Sequence, residues 1–152
     1  MALTAHVFPQ FAIGLGAGNI NMTSGTYKVA LGNGTGPITL ATAGISTAKL
    51  LTDWTAIVAE ITGTGYTAGG ATVSAPTFTA GGTNNSVATW TSATNPTWTS
   101  STFTANQAVF YESSAATYQL ICFWDFGGAI SVTSGTFTLN ISASGLLTAT
   151  AS

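Results

Sequence analysis

Apolar and hydroxyl-bearing residues alternate along most of this chain, in short runs closed by glycine, asparagine or proline. That period of two is the signature of half-buried β-strands. The clearest runs are Thr26 to Leu31, Ala71 to Ala75, Thr77 to Thr79, Val87 to Thr91, Thr97 to Thr104, Ala108 to Tyr111, Leu120 to Phe126 and Gly135 to Ile141, with a last one from Gly145 to Thr148. Between them stand Gly32-Asn33-Gly34, Gly69-Gly70, Gly81 to Asn85, Asn95-Pro96, Gly127-Gly128 and Ser134-Gly135, residues that accept positive φ or fix a turn. The pattern predicts a mainly β fold: a single-domain antiparallel β-sandwich or jelly roll with about eight strands and one short helix.

Within the runs the faces are legible. Phe137, Leu139 and Ile141 fall on one side of their strand and Thr136, Thr138 and Asn140 on the other. Leu120 to Phe126 is apolar until Asp125, as expected of a central strand covered on both faces. Only one stretch changes period: Leu50, Leu51, Trp54, Ile57, Val58 and Ile61 share a helical stripe, predicting two or three turns with Asp53 capping the start by accepting an N–H two or three residues on. Residues 1–25 are expected to form an N-terminal arm or first strand, and 26–152 the β-sandwich domain.

Composition sharpens the picture. Of 152 residues only 4% are charged, against 45% hydrophobic and 11% aromatic. Disorder through high charge and low hydrophobicity is thereby excluded. Roughly one residue in five is threonine, so neutral hydroxyls replace charge on the surface. Two lysines and no arginine cannot neutralise a run of phosphates, so neither nucleic acid nor an anionic membrane is expected as a partner. Met1 to Ile20 lacks the basic start of a secretory signal, and no window reaches the length of a membrane span, which predicts a soluble protein made in a cytoplasm. A surface this neutral suits a protein whose neighbours cover it.

Chemistry has little to work with. The charged side chains are Lys28, Lys49, Asp53, Glu60, Glu112 and Asp125, joined by one histidine, His6, and one cysteine, Cys122. A glycosidase would need two of the four carboxylates across a cleft, and their spacing selects no pair. Cys122 sits between Ile121 and Phe123, where a thiol is expected to be buried and inert rather than paired with His6 as a nucleophile. No catalytic residue, cofactor site or metal site is therefore expected, and the chain reads as a non-enzyme. The block Gly63-Thr64-Gly65-Tyr66-Thr67-Ala68-Gly69-Gly70 looks like a phosphate cradle but lacks the following lysine and helix. It is expected to be a tight strand-to-strand connection, with Gly63, Gly65, Gly69 and Gly70 as turn residues and Tyr66 as packing anchor. Trp54, Trp90, Trp98 and Trp124, if exposed, could stack against sugars, although core positions suit them better. The repeated Thr-x-Thr triplets invite an ice-matching ladder, but the short regular repeat of a ladder-forming solenoid is absent.

The segments Thr26 to Leu31, Glu60 to Thr72 with its GTGYTAGG block, Ala108 to Tyr111, Asp125-Phe126-Gly127 and Gly135 to Leu139 fall in an order that resembles a family of small tailed-bacteriophage virion proteins. The opening Met1 to Ala5 is similar too, and the likeness spans most of the chain from about Thr26 to Leu147. The resemblance implies a structural component of the particle: a capsid decoration or cement protein that binds the major capsid protein on the virion surface. The alternative it leaves open is a tail fibre or receptor-binding protein contacting host glycan. The decoration reading expects a homo-oligomer, trimer or dimer, and no cofactor. Val7, Phe8 and Phe11 are the expected partner contacts, since an apolar leader has little reason to stay free in water.

Overall fold

The computed structural model describes residues 4–34, 36–74, 76–81, 87–114, 119–142 and 145–150. Its elements in chain order are β1 (Thr4–Val7), α1 (Pro9–Gly16), β2 (Tyr27–Gly32), α2 (Leu51–Thr55), β3 (Ala71–Thr72), β4 (Thr77–Gly81), β5 (Val87–Thr91), β6 (Thr97–Glu112), β7 (Gln119–Thr138) and β8 (Leu147–Thr150). Two antiparallel sheets hold them, a five-stranded one in the order β1-β7-β6-β2-β3 and a three-stranded one in the order β4-β5-β8. The fold is mainly β and β-sandwich-like, with two short helices.

One long hairpin organises the larger sheet. Half of each long strand, near the β6–β7 connection, is the sheet's centre: Tyr27–Gly32 runs along Gln107–Glu112 on one side of β6, and Thr4–Val7 along Cys122–Asp125 on the far side of β7. Leu120 to Asp125 is buried throughout, which explains its unbroken apolar sequence. The other half extends as a two-stranded ribbon in which Phe137 meets Trp98 edge to face and Phe103 at a tilt, while the intervening threonines face water. Trp90 of the smaller sheet meets Tyr27 of the larger at 5.0 Å, edge to face, so one core serves both sheets.

Four expectations need correction. The runs at Thr97 to Thr104 and Ala108 to Tyr111 are a single strand, and Leu120 to Phe126 continues through Gly135 to Thr138 as another. Gly127-Gly128 and Ser134-Gly135 are not turns but bulges inside β7. The register passes from Gln107 opposite Asp125 to Ala105 opposite Ile130, so four residues of β7 face a single residue of β6, and Gly127 at φ 72° absorbs the bend. Ser100 and Ser134 both take positive φ where the ribbon's register shifts again.

The helical stripe of residues 50–61 winds only over Leu51–Thr55, then closes in a turn where Val58 N–H reaches Trp54 O. Thr55, Ile57 and Val58 are β-branched and disfavour a longer helix. Asp53 does serve this start, but backwards: its carboxylate accepts the N–H groups of Lys49 and Leu50, each at 3.0 Å. The N-terminal segment is a strand followed by a helix. Pro9, which looks like a breaker, occupies the first turn, where its missing N–H costs nothing, and Gly18 at φ 74° ends the helix. Part of the expected turn at Gly81 to Asn85, and Ala75 of the expected Ala71 strand, lie outside the described residues.

Candidate functional site

The four carboxylates are dispersed, and each is engaged with the chain's own backbone or hydroxyls. Asp125 is buried in β7 and accepts the Ile38 N–H at 2.5 Å with one oxygen and the Gly127 N–H at 2.7 Å with the other. It thus fixes both the loop after β2 and the start of the bulge. Beside it, Asn106 and Gln107 each accept the Gly34 N–H at 3.0 Å, while their amide N–H groups donate to Gly34 O and Gly36 O. A buried polar side chain needs such partners, and a loop with little regular structure needs such tethers. Glu112 accepts the Ser114 N–H; burial, with the Glu112 charge adding to it, pushes the Tyr27 phenol up to about 12. Among the described residues there is no cluster of three or more His, Cys, Asp or Glu able to hold a metal ion.

Glu60 governs the glycine-rich block. Its Oε1 accepts the Tyr66 hydroxyl at 2.7 Å and the Gly69 N–H at 2.6 Å, while the Tyr66 oxygen accepts the Leu31 N–H at 2.9 Å. Burial and the adjacent carboxylate both hold the Tyr66 phenol in its protonated form, its pKa well above the usual range. Tyr111 closes the circuit by donating to Gly69 O at 2.7 Å. The Tyr66 ring lies stacked near Trp98 and edge-on to Phe103, so it joins the loop to the ribbon. Gly65, Gly69 and Gly70 have φ of 76°, 84° and 70°, and a Cβ on Gly63 would sit 2.4 Å from Thr102 O. The block is a folded loop leading from α2 to β3, not a link between two strands, and it is a structural lock whose polar groups face one another. From the sequence Glu60 is expected to hydrogen-bond loop backbone, and the Gly69 N–H is that partner; its bond to the Tyr66 hydroxyl is what the sequence left unread, and a carboxylate six residues before the tyrosine was the available signal.

Cys122 is buried, and burial alone pushes its thiol up to about 12. His6 stacks on Phe123 at 4.9 Å in the β1–β7 pairing. All four tryptophans are buried, which removes the exposed sugar-stacking platform considered from the sequence. Each completes part of the core instead; a Cβ on Gly32 would sit 2.5 Å from Trp54, so that glycine makes room for the indole.

The expected arm is likewise revised. Phe8 and Phe11 lie in the chain's own core, Phe8 N–H donating to Ile121 O and its ring meeting Phe123 at 5.1 Å. Only Val7 of the three stays open, 40% exposed. The helix between them does present apolar surface: Ile13 is 62% exposed, Leu15 is partly exposed, and Ile13 borders a hollow of about 370 Å³ shared with Gln10, Asn19, Lys49 and Gln119. Helical spacing turns Ile13, two residues on, outward once Phe11 turns in, whereas Leu15 shares the side of Phe11 and is exposed in the last turn, a distinction that needs the segment to be a helix.

The exposed residues of α1 and β1 and the outward threonines form a surface. It is apolar and neutral-polar, with charge confined to a few positions. No family model matches the chain, and no curated protein or solved structure is significantly similar to it.

Proposed function

We propose that this protein is a capsid decoration, or cement, protein of a tailed bacteriophage, bound to the outside of the major capsid protein shell and bridging its subunits. The observation that carries the reading is where the charge goes: the carboxylates serve internal tethers, and the outward threonine faces carry no charge at all. Such a face is hydrated but easily covered, and covering it desolvates no ion. The resemblance of the GTGYTAGG block and its flanking strands to phage virion proteins points the same way.

Contact with the shell is assigned to the exposed apolar residues of α1, chiefly Ile13, with Leu15 and with Val7 of β1. Copies would sit across junctions between shell subunits, so that each junction buries apolar and hydrogen-bonded area lost on bursting. The tail-fibre alternative loses its main support with the burial of the tryptophans.

The test is the copy number of this protein relative to the major shell protein in purified particles, by quantitative mass spectrometry. A ratio near one, or a simple fraction set by the shell lattice, is expected. A handful of copies would move the protein to the tail, and absence from particles would end both readings. Ile13→Lys should abolish attachment without unfolding the domain, whereas truncating the first eighteen residues would also strip β1, Phe8 and Phe11 from the core.

A further inference from the structure

Beyond Asp125, β7 has no strand on the side away from β6 among the described residues, of which Thr4, opposite Asp125, is the first. An edge of this kind exposes backbone N–H and C=O groups, and natural proteins guard such edges with charge, proline or bulges. Here two bulges bracket a straight run, residues 129–133, but the run holds no proline, and no ionisable side chain follows Asp125 anywhere in the sequence. Along the same stretch lies an apolar groove of about 430 Å³, lined by Trp124, Phe126, Ile130, Val132, Phe137 and Leu139 among others. Ile130 is 37% exposed at its border. Hydrogen-bonding edge and apolar groove together are the two requirements for accepting an added strand: backbone for affinity, pocket for alternate side chains.

We propose that the occupant is the same edge of a second copy, paired antiparallel about a two-fold axis centred on Ser131. A strand paired with itself in this way opposes residue 129 to 133, 130 to 132 and 131 to 131. Any charge near the centre would meet its own like, which is destabilising. This run meets that condition: Ile130 of one copy faces Val132 of the other at the groove, and Ser131, which also borders it, faces its own counterpart. Each groove is then closed by the apolar pair at its mouth. A five-residue pairing with one groove per copy is at the small end of stable interfaces, so the dimer should dissociate on dilution. The inference gives a geometry to the homo-oligomer that the decoration reading expects, but it is read in solution without shells, so its failure and that of shell binding are separable.

Sedimentation velocity over a dilution series should show a monomer–dimer equilibrium. In the proposed pairing the two Ser131 Cα atoms lie about 4.5–5.5 Å apart, within disulfide reach. Ser131→Cys should therefore give a covalent dimer on mild oxidation, while Thr99→Cys, on the outward face of β6, should not; the native Cys122 is buried and does not interfere. Ile130→Lys should shift the equilibrium to monomer with an unchanged circular dichroism spectrum. A wild-type monomer at every concentration, Ser131→Cys linking no faster than Thr99→Cys, or a folded Ile130→Lys that still dimerises would each overturn the proposal. If Ile130→Lys fails to fold, the cross-linking comparison decides alone.

Discussion

Gly70 illustrates how narrowly single residues are constrained here. Its φ is 70°, and a Cβ would fall 1.8 Å from Val29 O, in the backbone of the neighbouring strand. Gly70→Ala should cost at least about 2 kcal/mol, since neither the torsion nor the contact can relax cheaply; urea unfolding measures it. Tyr66→Phe removes both the donor to Glu60 and the acceptor for Leu31 N–H, and should cost about 1–3 kcal/mol through the stranded backbone group. The raised thiol of Cys122 has a pH signature. Its folded pKa of about 12 exceeds the unfolded value, so its contribution is whole below about pH 8.5 and is lost as pH climbs toward 12, at up to about 1.4 kcal/mol per pH unit. Tyr27, also raised to about 12, adds to the loss above about pH 10. Unfolding free energies from pH 7 to 10.5 should fall in that order, and Cys122→Ala should flatten the first part of the decline; a wild-type curve already flat there would refute the burial argument.

At the level of elements, the sequence disclosed strands better than their ends. Val87–Thr91 has the same bounds in both, because alternation and flanking polar residues agree there. Gly127-Gly128 misled because a pair of glycines serves a turn and a bulge equally well; which one forms depends on whether β6 keeps pairing on the far side, and that information lies twenty residues away. Pro9 is ambiguous in the same manner, since the residue that breaks a helix interior also starts a helix. The lock around Glu60 was half legible: the glycines, Tyr66 and a Glu60 bonded to loop backbone could be read, while the pairing of that carboxylate with the Tyr66 hydroxyl required knowledge of how the loop folds back. At Ser134 the bulge imposes φ 48° on a residue with a Cβ. Ser134→Gly should stabilise the ribbon by about 0.5–1 kcal/mol, the relief of the left-handed conformation outweighing the added chain entropy, and Thr102 Oγ1 still accepts the residue-134 N–H. Thermal unfolding of the pair of proteins would show it as a rise in Tm; a fall would mean that the strain is absent.

Across the whole molecule, charge is distributed unevenly. Between Glu60 and Glu112, and again after Asp125, the chain carries no charged side chain, so the ribbon and the smaller sheet are neutral throughout. Neutral contacts are barely screened, so both thermal stability and particle attachment should change little between low and moderate salt; a collapse of binding over that range would contradict the proposed surface. No helix among the described residues is long and apolar enough to cross a membrane.

The two lysines have one more consequence. Trypsin cuts only after lysine or arginine, and it needs several residues of free extended chain at the cut. Lys28 lies in β2 with β3 on one side and β6 on the other, while Lys49 precedes a backbone tied to Asp53 and bridged to Gln119. The folded protein should therefore survive trypsin intact. Even when unfolded it would release everything from Leu50 onward as one large fragment, and counting its copies in a particle calls for chymotrypsin, to which its aromatic-rich strands offer many sites once opened. A coat built from such a chain would be nearly invisible to a protease that searches for positive charge.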